Sequence, residues 1–455
     1  MFDIDQEHPE YSGRKTAWKK YRDLYIGGEQ LKAHAEEYLV RRHREPAEVY
    51  GERLSRVFYE NYIGSIVDWY AATLFRREPV LTFTGNSDPA KAFFSELVED
   101  VDRKGTSLAD FFRQQFVEGM VAGTSYVLVD FPRVFSQAQT RAAEDASGAS
   151  RAYLVGYSAD EVINWSLDDH GSFEWVVIRT QSMKKSNVED AEWRVETRWS
   201  YYDKQNFRIY CREDAKSEIQ AVDEGQHGLA KLQQVPLFDL RISPGLWMLN
   251  RAGTLQLEHF NKSNALSWAL TMGLFAMPVV YSDREWSQIV GESYYIQLAP
   301  GDRFGWTEPE GRVYQIANDN LVRLQEEIYR VCYVRQAGAS LDAGARASGV
   351  SKERDASFTQ EVLRAYGDAI KEQIRRVLRA IEAAREDTLQ VSVMGLDEFD
   401  IADLSTELQE AKDLLALGPV SPTLKKEILK KLSLKYLCDA RQDVKDRIVE
   451  ELEAA

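Results

Sequence analysis

The chain has 455 residues, of which 44% are hydrophobic and 11% aromatic, and its net charge is −16. So much apolar sequence is enough for a substantial core in about two to four subdomains, which excludes a disordered chain. The acidity excludes a protein that binds nucleic acid with high affinity, because lysine and arginine supply most of the affinity for phosphate.

The N-terminal segment is predicted to be mainly helical. Residues 1–12 are acidic, and we predict that they are loose. Residues 16–25 carry aromatic and leucine side chains at helical spacing, which indicates a short helix. Residues 49–74 have the period of a single core helix, and residues 79–83 read as a short strand.

The next part of the chain has the pattern of an α+β domain. Two amphipathic helices are predicted at residues 90–101 and 107–121, followed by a tight turn at Gly123 and a central apolar strand at 125–131. Residues 136–150 are small and polar, which predicts an exposed loop. Further strands are predicted at 152–157, 162–166, 173–180, 193–202, 207–212 and 235–240.

A long helix is predicted from Trp247 to Met272, with one buried stripe and several polar interruptions. Those interruptions exclude a membrane span, which needs about 20 predominantly apolar residues. Pro278 ends the helix and opens an extended region. We predict a small inserted domain there, with a short helix near 283–290 and a last strand at 312–316.

Two more helices follow the insert. The first is predicted to begin at Asp319 or Asn320 as N-cap. Residues 338–349 are nearly all Gly, Ala and Ser, which predicts a mobile loop. From Ser351 a helix of about 33 residues is predicted, with a bend at Gly367.

This order of elements resembles that of the portal proteins of tailed double-stranded-DNA bacteriophages, where a stem helix, a clip, a second stem helix, a tunnel loop and a long bent helix follow one another. Residues 61–68 with 74–80, residues 118–130, and residues 399–400, 417–423 and 443–451 are similar to three other parts of the same family. The resemblance covers nearly the whole chain, although each single pattern is loose. It implies an α+β, portal-like fold.

The resemblance also implies a division of the chain. The implied parts are a wing domain (1–246), stem helix 1 (247–274), the clip (275–317), stem helix 2 (318–337), the tunnel loop (338–351), a long channel helix (352–385) and a helical crown (386–455).

The implied function is that of a ring subunit, with twelve copies at one capsid vertex, through which double-stranded DNA is packaged and ejected. The implied partners are the large terminase or packaging motor, a head-completion (adaptor) protein, and the major capsid and scaffolding proteins. The implied location is the virion, after assembly in the bacterial cytoplasm. No membrane, no enzymatic activity and no cofactor are expected.

Charge suggests where DNA would be contacted. Residues 318–385 have a net charge of +2 and residues 386–455 a net charge of −7. The candidates for phosphate or channel contact are Arg335, Arg346, Lys352 and Arg354, with Arg346 favoured because it lies among small residues. The competing interpretation is that each lies on a solvated helix face or pairs with a neighbouring subunit. The predicted tunnel-loop residues are Gly338, Ser340, Gly344, Ser348 and Gly349.

Catalytic and metal-binding motifs are absent from the sequence. It contains no G-x-x-x-x-G-K-[ST], H-E-x-x-H, G-x-S-x-G or G-x-G-x-x-G, so a packaging motor would be a separate protein. The three widely spaced cysteines predict reduced thiols. One alternative is an acidic α+β metal-dependent nuclease or hydrolase that uses carboxylates such as those of residues 397–400. Another is a scaffold or connector without an open channel.

Overall fold

The computed structural model describes most of the chain. The described residues are 3–84, 88–132, 148, 151–185, 193–214, 217–273, 277–283, 298, 300–307, 311–334, 349–387, 390–396, 409, 412–413, 421–437 and 440–454. For residues 84, 272–273, 277–278, 306–307, 311, 349–357, 435 and 453–454 the backbone alone is described.

The chain combines helices with antiparallel sheets in separate stretches, so the fold class is α+β as predicted. The helices are α1 (Pro9–Ile26), α2 (Gly28–Ala33), α3 (Ala35–Tyr38), α4 (Ala47–Ser55), α5 (Tyr62–Leu74), α6 (Asp88–Glu99), α7 (Leu108–Ala122), α8 (Met248–Gly273), α9 (Gly311–Val331), α10 (Gly349–Arg385), α11 (Pro422–Tyr436) and α12 (Gln442–Ala454), with a short 3-10 turn at Ala230–Leu232.

The strands are β1 (Val80–Thr84), β2 (Thr124–Asp130), β3 (Tyr153–Ser158), β4 (Val162–Leu167), β5 (Phe173–Lys184), β6 (Arg194–Asp203), β7 (Asn206–Arg212), β8 (Gln220–Gln226), β9 (Leu237–Arg241), β10 (Met277–Tyr281), β11 (Arg303–Thr307) and β12 (Gln390–Met394). Two compact units share these elements. The larger unit contains residues 1–22, 65–249 and 345–455, and the smaller unit contains residues 23–64 and 250–344.

Two stacked antiparallel sheets form the centre of the larger unit. One has the order β4-β5-β6-β7-β8 and the other the order β3-β2-β9, so β2 is a central strand as predicted. Between them lies an apolar core that includes Leu128 and Leu237 from the small sheet and Val176, Ile178 and Tyr202 from the large one. The polar strand β8 was not predicted, because its sequence QAVDEGQ lacks the apolar alternation that marks a strand.

Residues 3–12 are ordered against the outer face of the five-stranded sheet, so the prediction that this part of the N-terminal segment is loose is wrong. Helix α1 already begins at Pro9, and Ile4 and Tyr11 are buried in a cluster with Trp199. The Asp5 carboxylate accepts hydrogen bonds from the Trp199 indole (2.8 Å) and from Arg179 (2.9 Å). The acidic residues that suggested disorder are thus partners of sheet side chains, which only the tertiary structure could provide.

Helix α10 is the buried helix of the larger unit. It packs against α7, β9 and β12, and Ile370, Ile374 and Ile381 are fully buried along it. The following strand β12 pairs with β1 in antiparallel register, from Val80 opposite Met394 to Thr84 opposite Gln390. This strand was not predicted. It places residues 390–394 in a sheet with residues 80–84, whereas the sequence suggested a purely helical segment from 386 onward.

Gly367 allows a close backbone approach in this helix. A Cβ atom at this position would stand 1.9 Å from the carbonyl oxygen of Leu396. The bend predicted at Gly367 stays a prediction, but the close approach is reason enough for the glycine.

Two helix boundaries in the smaller unit differ from the predictions. The single helix expected at 49–74 is interrupted, because α4 ends at Ser55 and α5 begins at Tyr62. The strand expected at 312–316 is wrong, since these residues form the first turns of α9, and Asp319 and Asn320 lie inside the helix instead of capping it. The sequence RVYQI has a β-rich composition, but its apolar residues also continue the helical stripe of α9.

The substitution Gly367→Ala should destabilise the protein by about 1–3 kcal/mol, because either the helix or the Leu396 backbone must shift to accommodate a methyl group. Gly13→Ala is the matched control, since Gly13 lies in a helix of the same unit and nothing stands within 4 Å of its added Cβ. Urea unfolding followed by tryptophan fluorescence measures both variants. Equal stability of the two variants would contradict the close-approach explanation.

Candidate functional site

The residues predicted to contact DNA fall mostly outside the described part of the chain. This applies to Arg335, Arg346, Gly338, Ser340, Gly344 and Ser348. Lys352 and Arg354 lie in the first turns of α10, where only the backbone is described. Gly349 is the first residue of α10, so the loop predicted to reach 351 ends before it. The DNA-contact assignments therefore stay predictions.

The described candidate site is the segment from α8 to α9, residues 248–331, which we call the helix–ribbon–helix segment. Its two strands pair in antiparallel register, with Met277 opposite Thr307 and Tyr281 opposite Arg303. The end of α8 and the start of α9 are thus each only a few residues from the Met277–Thr307 pair. The chain therefore leaves α8 and returns to α9 at the same end of the ribbon.

Helices α8 and α9 lie side by side in antiparallel orientation. Arg251 donates a hydrogen bond to the Tyr333 hydroxyl just beyond α9 (2.6 Å), Lys262 donates to Asn320 (2.9 Å), and Tyr314 donates to the Ala269 carbonyl (3.4 Å). As the residue number rises along α8, that of its partner falls by nearly the same amount. The pairing therefore extends for 18 residues, or about 27 Å.

The polar residues that interrupt the apolar stripe of α8 bind the backbone of the N-terminal part of the smaller unit. The Asn261 amide bonds both the Tyr38 carbonyl (3.0 Å) and the Val40 amide (2.8 Å). Asn264 bonds the carbonyl (2.9 Å) and the amide (3.1 Å) of Phe58 in the same way. These side chains satisfy backbone groups between helices, a role that helical periodicity alone does not reveal.

A buried polar cluster lies nearer the N-terminus of the same helix. His259 and Gln256 are buried, and the imidazole Nδ1 and the amide Oε1 have no hydrogen-bond partner among the described residues. His259 Nε2 lies 3.4 Å from a Glu60 carboxylate oxygen, and the same oxygen accepts a hydrogen bond from the Tyr62 hydroxyl (3.0 Å). Burial lowers the pKa of His259, and the Glu60 charge opposes this shift only in part.

The apolar stripe of α9 is covered at one end and exposed at the other. Leu324 and Ile328 are buried, whereas Val313 is 63% exposed and Ile316 is 59% exposed. At about 100° per residue, Val313 and Ile316 lie within about 80° of Leu324 on the helix surface. The N-terminal half of α9 thus presents to solvent the same stripe that its C-terminal half buries. An amphipathic helix gains most of its stability by burying such a stripe.

Charge along the two helices is close to balanced. Helix α9 has three basic residues (Arg312, Arg323, Arg330) and three acidic ones (Asp319, Glu326, Glu327), and α8 has a net charge of +1. Arg330 pairs with Glu327 along the helix. Such a pair of helices offers no concentrated positive charge to hold phosphate.

Metal-ligating side chains are not grouped in the part of the chain that the structure describes. Within that part of the chain, no three His, Cys, Asp or Glu side chains are grouped so that they could hold a metal ion. The carboxylates at 397–400 are outside it. Neither Cys211 nor Cys332 forms a disulfide, and burial raises the pKa of Cys332 to about 12. None of the described helices is long and apolar enough to traverse a bilayer.

No protein-family model matches the chain, and no curated protein matches it either. Among solved structures it is similar to a chain in the neck of an empty gene transfer agent (GTA) particle computed with C6 symmetry, with 12% identity, coverage of 79% of this chain and 88% of that chain, and a TM-score of 0.46.

Two further likenesses come from related particles. One is to a chain in the virion of a native GTA particle, with 12% identity, coverage of 85% and 94%, and a TM-score of 0.43. The other is to a chain in the neck of a native GTA particle computed with C12 symmetry, with 11% identity, coverage of 80% and 88%, and a TM-score of 0.42. Because every TM-score is below 0.5, the function proposed below rests on the elements of this chain itself.

The buried His259 makes the stability of the smaller unit depend on pH. Its folded pKa is lowered below the unfolded value of about 6.5, so the unfolded chain takes up a proton first as the pH falls. The stabilising effect of the neutral ring is therefore complete above about pH 6.5 and is lost as the pH falls below it. Between pH 7 and pH 5, the unfolding free energy of the wild type should decline more steeply than that of His259→Gln.

Urea unfolding at several pH values measures this difference. The exposed His170 provides the control, because His170→Gln should leave the slope of the wild type unchanged. Parallel curves for the wild type and His259→Gln would mean that His259 is not held neutral by burial.

Proposed function

We propose that this chain is the subunit of a phage portal ring, the channel at one capsid vertex through which double-stranded DNA is packaged and ejected. The support lies in the order of its described elements, which is a helix, a two-stranded ribbon, an antiparallel helix and then, beyond residues 335–348, a helix of 37 residues. In this assignment residues 1–246 form the wing, α8 and α9 the stem, the ribbon region the clip, and residues beyond β12 the crown.

The observation that carries the proposal is the uncovered apolar stripe at Val313 and Ile316 on a slender helix pair. Two antiparallel helices cannot bury both of their sides by themselves, so the second side needs another molecule. In the proposed ring the stripe of one copy is covered by a different surface of its neighbour, which is a heterologous contact. Heterologous contacts that repeat around an axis close into a ring, and twelve copies is the number that the portal resemblance implies.

Function in such a ring is geometric and electrostatic. The nearly neutral helix pair suits a wall past which DNA slides, because phosphate is bound mainly through clustered positive charge. Contact with DNA is assigned to residues 335–354, which include the start of α10, with Arg346, Arg335, Lys352 and Arg354 as the candidate side chains. The ribbon region is assigned to docking of the packaging motor and later of the head-completion protein, and the subunit itself has no catalytic role.

The mass and symmetry of the purified protein test the ring directly. Twelve copies of the 52.1 kDa chain weigh about 625 kDa. Native mass measurement and electron-microscope class averages should show a ring near this mass, with a hole of about 20 Å or more, the width of duplex DNA. A compact monomer with an acidic cleft and no tendency to associate would instead favour the metal-dependent enzyme.

The double variant Val313→Ser and Ile316→Ser should shift the population from rings to small species while the subunit stays folded. Each buried Val or Ile side chain contributes about 1.5–3 kcal/mol, and the loss recurs at every interface. Val322→Ser is the control, because Val322 is 46% exposed on the same helix but lies about 180° around it from Val313. Rings that survive the double variant would show that this stripe is not the subunit contact.

Deletion of residues 339–348 should leave ring assembly intact and impair the retention or passage of DNA, since this loop is assigned to the channel and not to the subunit contact. Native mass measurement reads out assembly, and DNA protection from nuclease in particles reads out retention. Loss of the ring in the deletion variant would contradict the loop assignment. The single variant Arg346→Ala separates the effect of charge from that of loop length.

A further inference from the structure

Helix α11 is basic, although the chain as a whole is acidic. Lysines occupy positions 425, 426, 430, 431 and 435 of this 15-residue helix, and Glu427 is its single acidic residue. Its net charge is therefore +4, in a chain whose net charge is −16. The next helix, α12, is acidic again. A charge contrast of this size on adjacent helices creates two surfaces of opposite potential within the larger unit.

The same helix also exposes apolar side chains. Leu434 is buried in a small cluster with Val80 and Val449, which anchors one side of α11. Leu429 and Tyr436 lie about 140–160° around the helix from Leu434 and are 37% and 68% exposed. Helix α11 thus has an anchored face and an exposed face on which leucine and tyrosine alternate with lysine.

This combination favours a protein partner over duplex DNA. Phosphate is bound by positive charge and gains nothing from exposed leucine, whereas the centre of a protein interface is apolar with charges around it. A second copy of this chain meets the charge requirement, since each copy is strongly acidic overall. The larger unit also offers a surface of matching charge.

That surface is a groove between α6 and α12. Three basic side chains and six carboxylates line it. The carboxylates are those of Asp88, Glu96, Glu99, Asp443, Asp446 and Glu450. Helix α12 is held beside α6 by a hydrogen bond from Ser95 to Asp446 (2.8 Å) and by the ion pair of Lys91 with Glu450. The groove is therefore built by contacts inside one chain and keeps a net negative charge.

None of the described residues that line the groove belongs to α11. Helix α11 packs against α12 through Leu434 and Val449, and Val449 lies about 60° around α12 from Asp446 and about 100° from Glu450, which both line the groove. The basic helix and the acidic groove are thus two different patches on one subunit. Complementary patches of this kind join copies head to tail and generate a ring when the rotation closes.

We propose that α11 of one copy docks into the α6–α12 groove of the neighbouring copy, with its lysines facing the carboxylates and with Leu429 and Tyr436 covered in the contact. The inference rests on the proposed ring, and it names a second contact that is independent of the α9 stripe. It also explains why a basic helix is kept within the most acidic part of the chain.

Charge reversal tests the pairing. The variant Lys425→Glu with Lys431→Glu reverses exposed positions of α11, and Glu96→Lys with Asp443→Lys reverses exposed positions of the groove. Each variant places like charges in the contact and should weaken self-association about tenfold or more, which corresponds to about 1.4 kcal/mol. The chain that carries all four substitutions restores opposite charges and should regain wild-type association.

Sedimentation velocity over a range of concentrations and salt measures association, and unfolding midpoints confirm that each variant is folded. Wild-type oligomers that neither reversal weakens would overturn the docking proposal and leave the ring proposal standing. A wild type that stays monomeric would overturn both. If the α11 reversal abolishes binding of duplex DNA, and the fourfold variant regains neither DNA binding nor self-association, the partner is DNA and the proposal is wrong.

Discussion

Helices α8 and α9 pair along about 27 Å, and this pairing leaves one flank of the pair without cover. Their mutual contacts, Arg251 with Tyr333 and Lys262 with Asn320, lie on one side. The amides of Asn261 and Asn264 tie α8 to residues 38–40 and 58. Val313 and Ile316 receive no such cover. The chain therefore carries apolar surface that association with other molecules would bury, and the proposed ring follows from this constraint.

The larger unit buries most of its apolar surface within one chain. Its two sheets bury their facing sides against each other, the N-terminal segment covers the outer face of the large sheet, and α10 is buried along much of its length. Gly367 allows the backbone near Leu396 to lie directly against that helix, so that β12 can pair with β1. This unit has the internal packing of an independent core.

Electrostatics divides the chain in a way that its net charge conceals. The helix pair is close to neutral, α11 is strongly basic, and the groove beside α12 is acidic. In the proposed ring these features have separate roles. A neutral wall does not retain DNA, and opposite patches on neighbouring subunits hold the copies together. Both roles depend on where charge is placed and not on its total.

Strong periodicity allowed α6, α7, α8 and most strands of the larger unit to be predicted, because apolar spacing reports directly which side of an element is buried. It failed where local sequence is ambiguous. Residues 312–316 have β-rich composition yet continue a helix. Strand β8 is polar and β12 has only five residues, and each is completed by pairing, with β7 and β1 respectively. The acidic N terminus is ordered by Trp199 and Arg179, nearly two hundred residues away.

The sequence by itself determined the α+β class and the presence of α8 and of the long helix α10, since these depend on composition and local period. Only the tertiary structure decided which polar residues of α8 bond the N-terminal backbone, which half of the α9 stripe is uncovered, and which face of α11 is exposed. Those outcomes depend on contacts between residues far apart in the chain, and no local pattern encodes them.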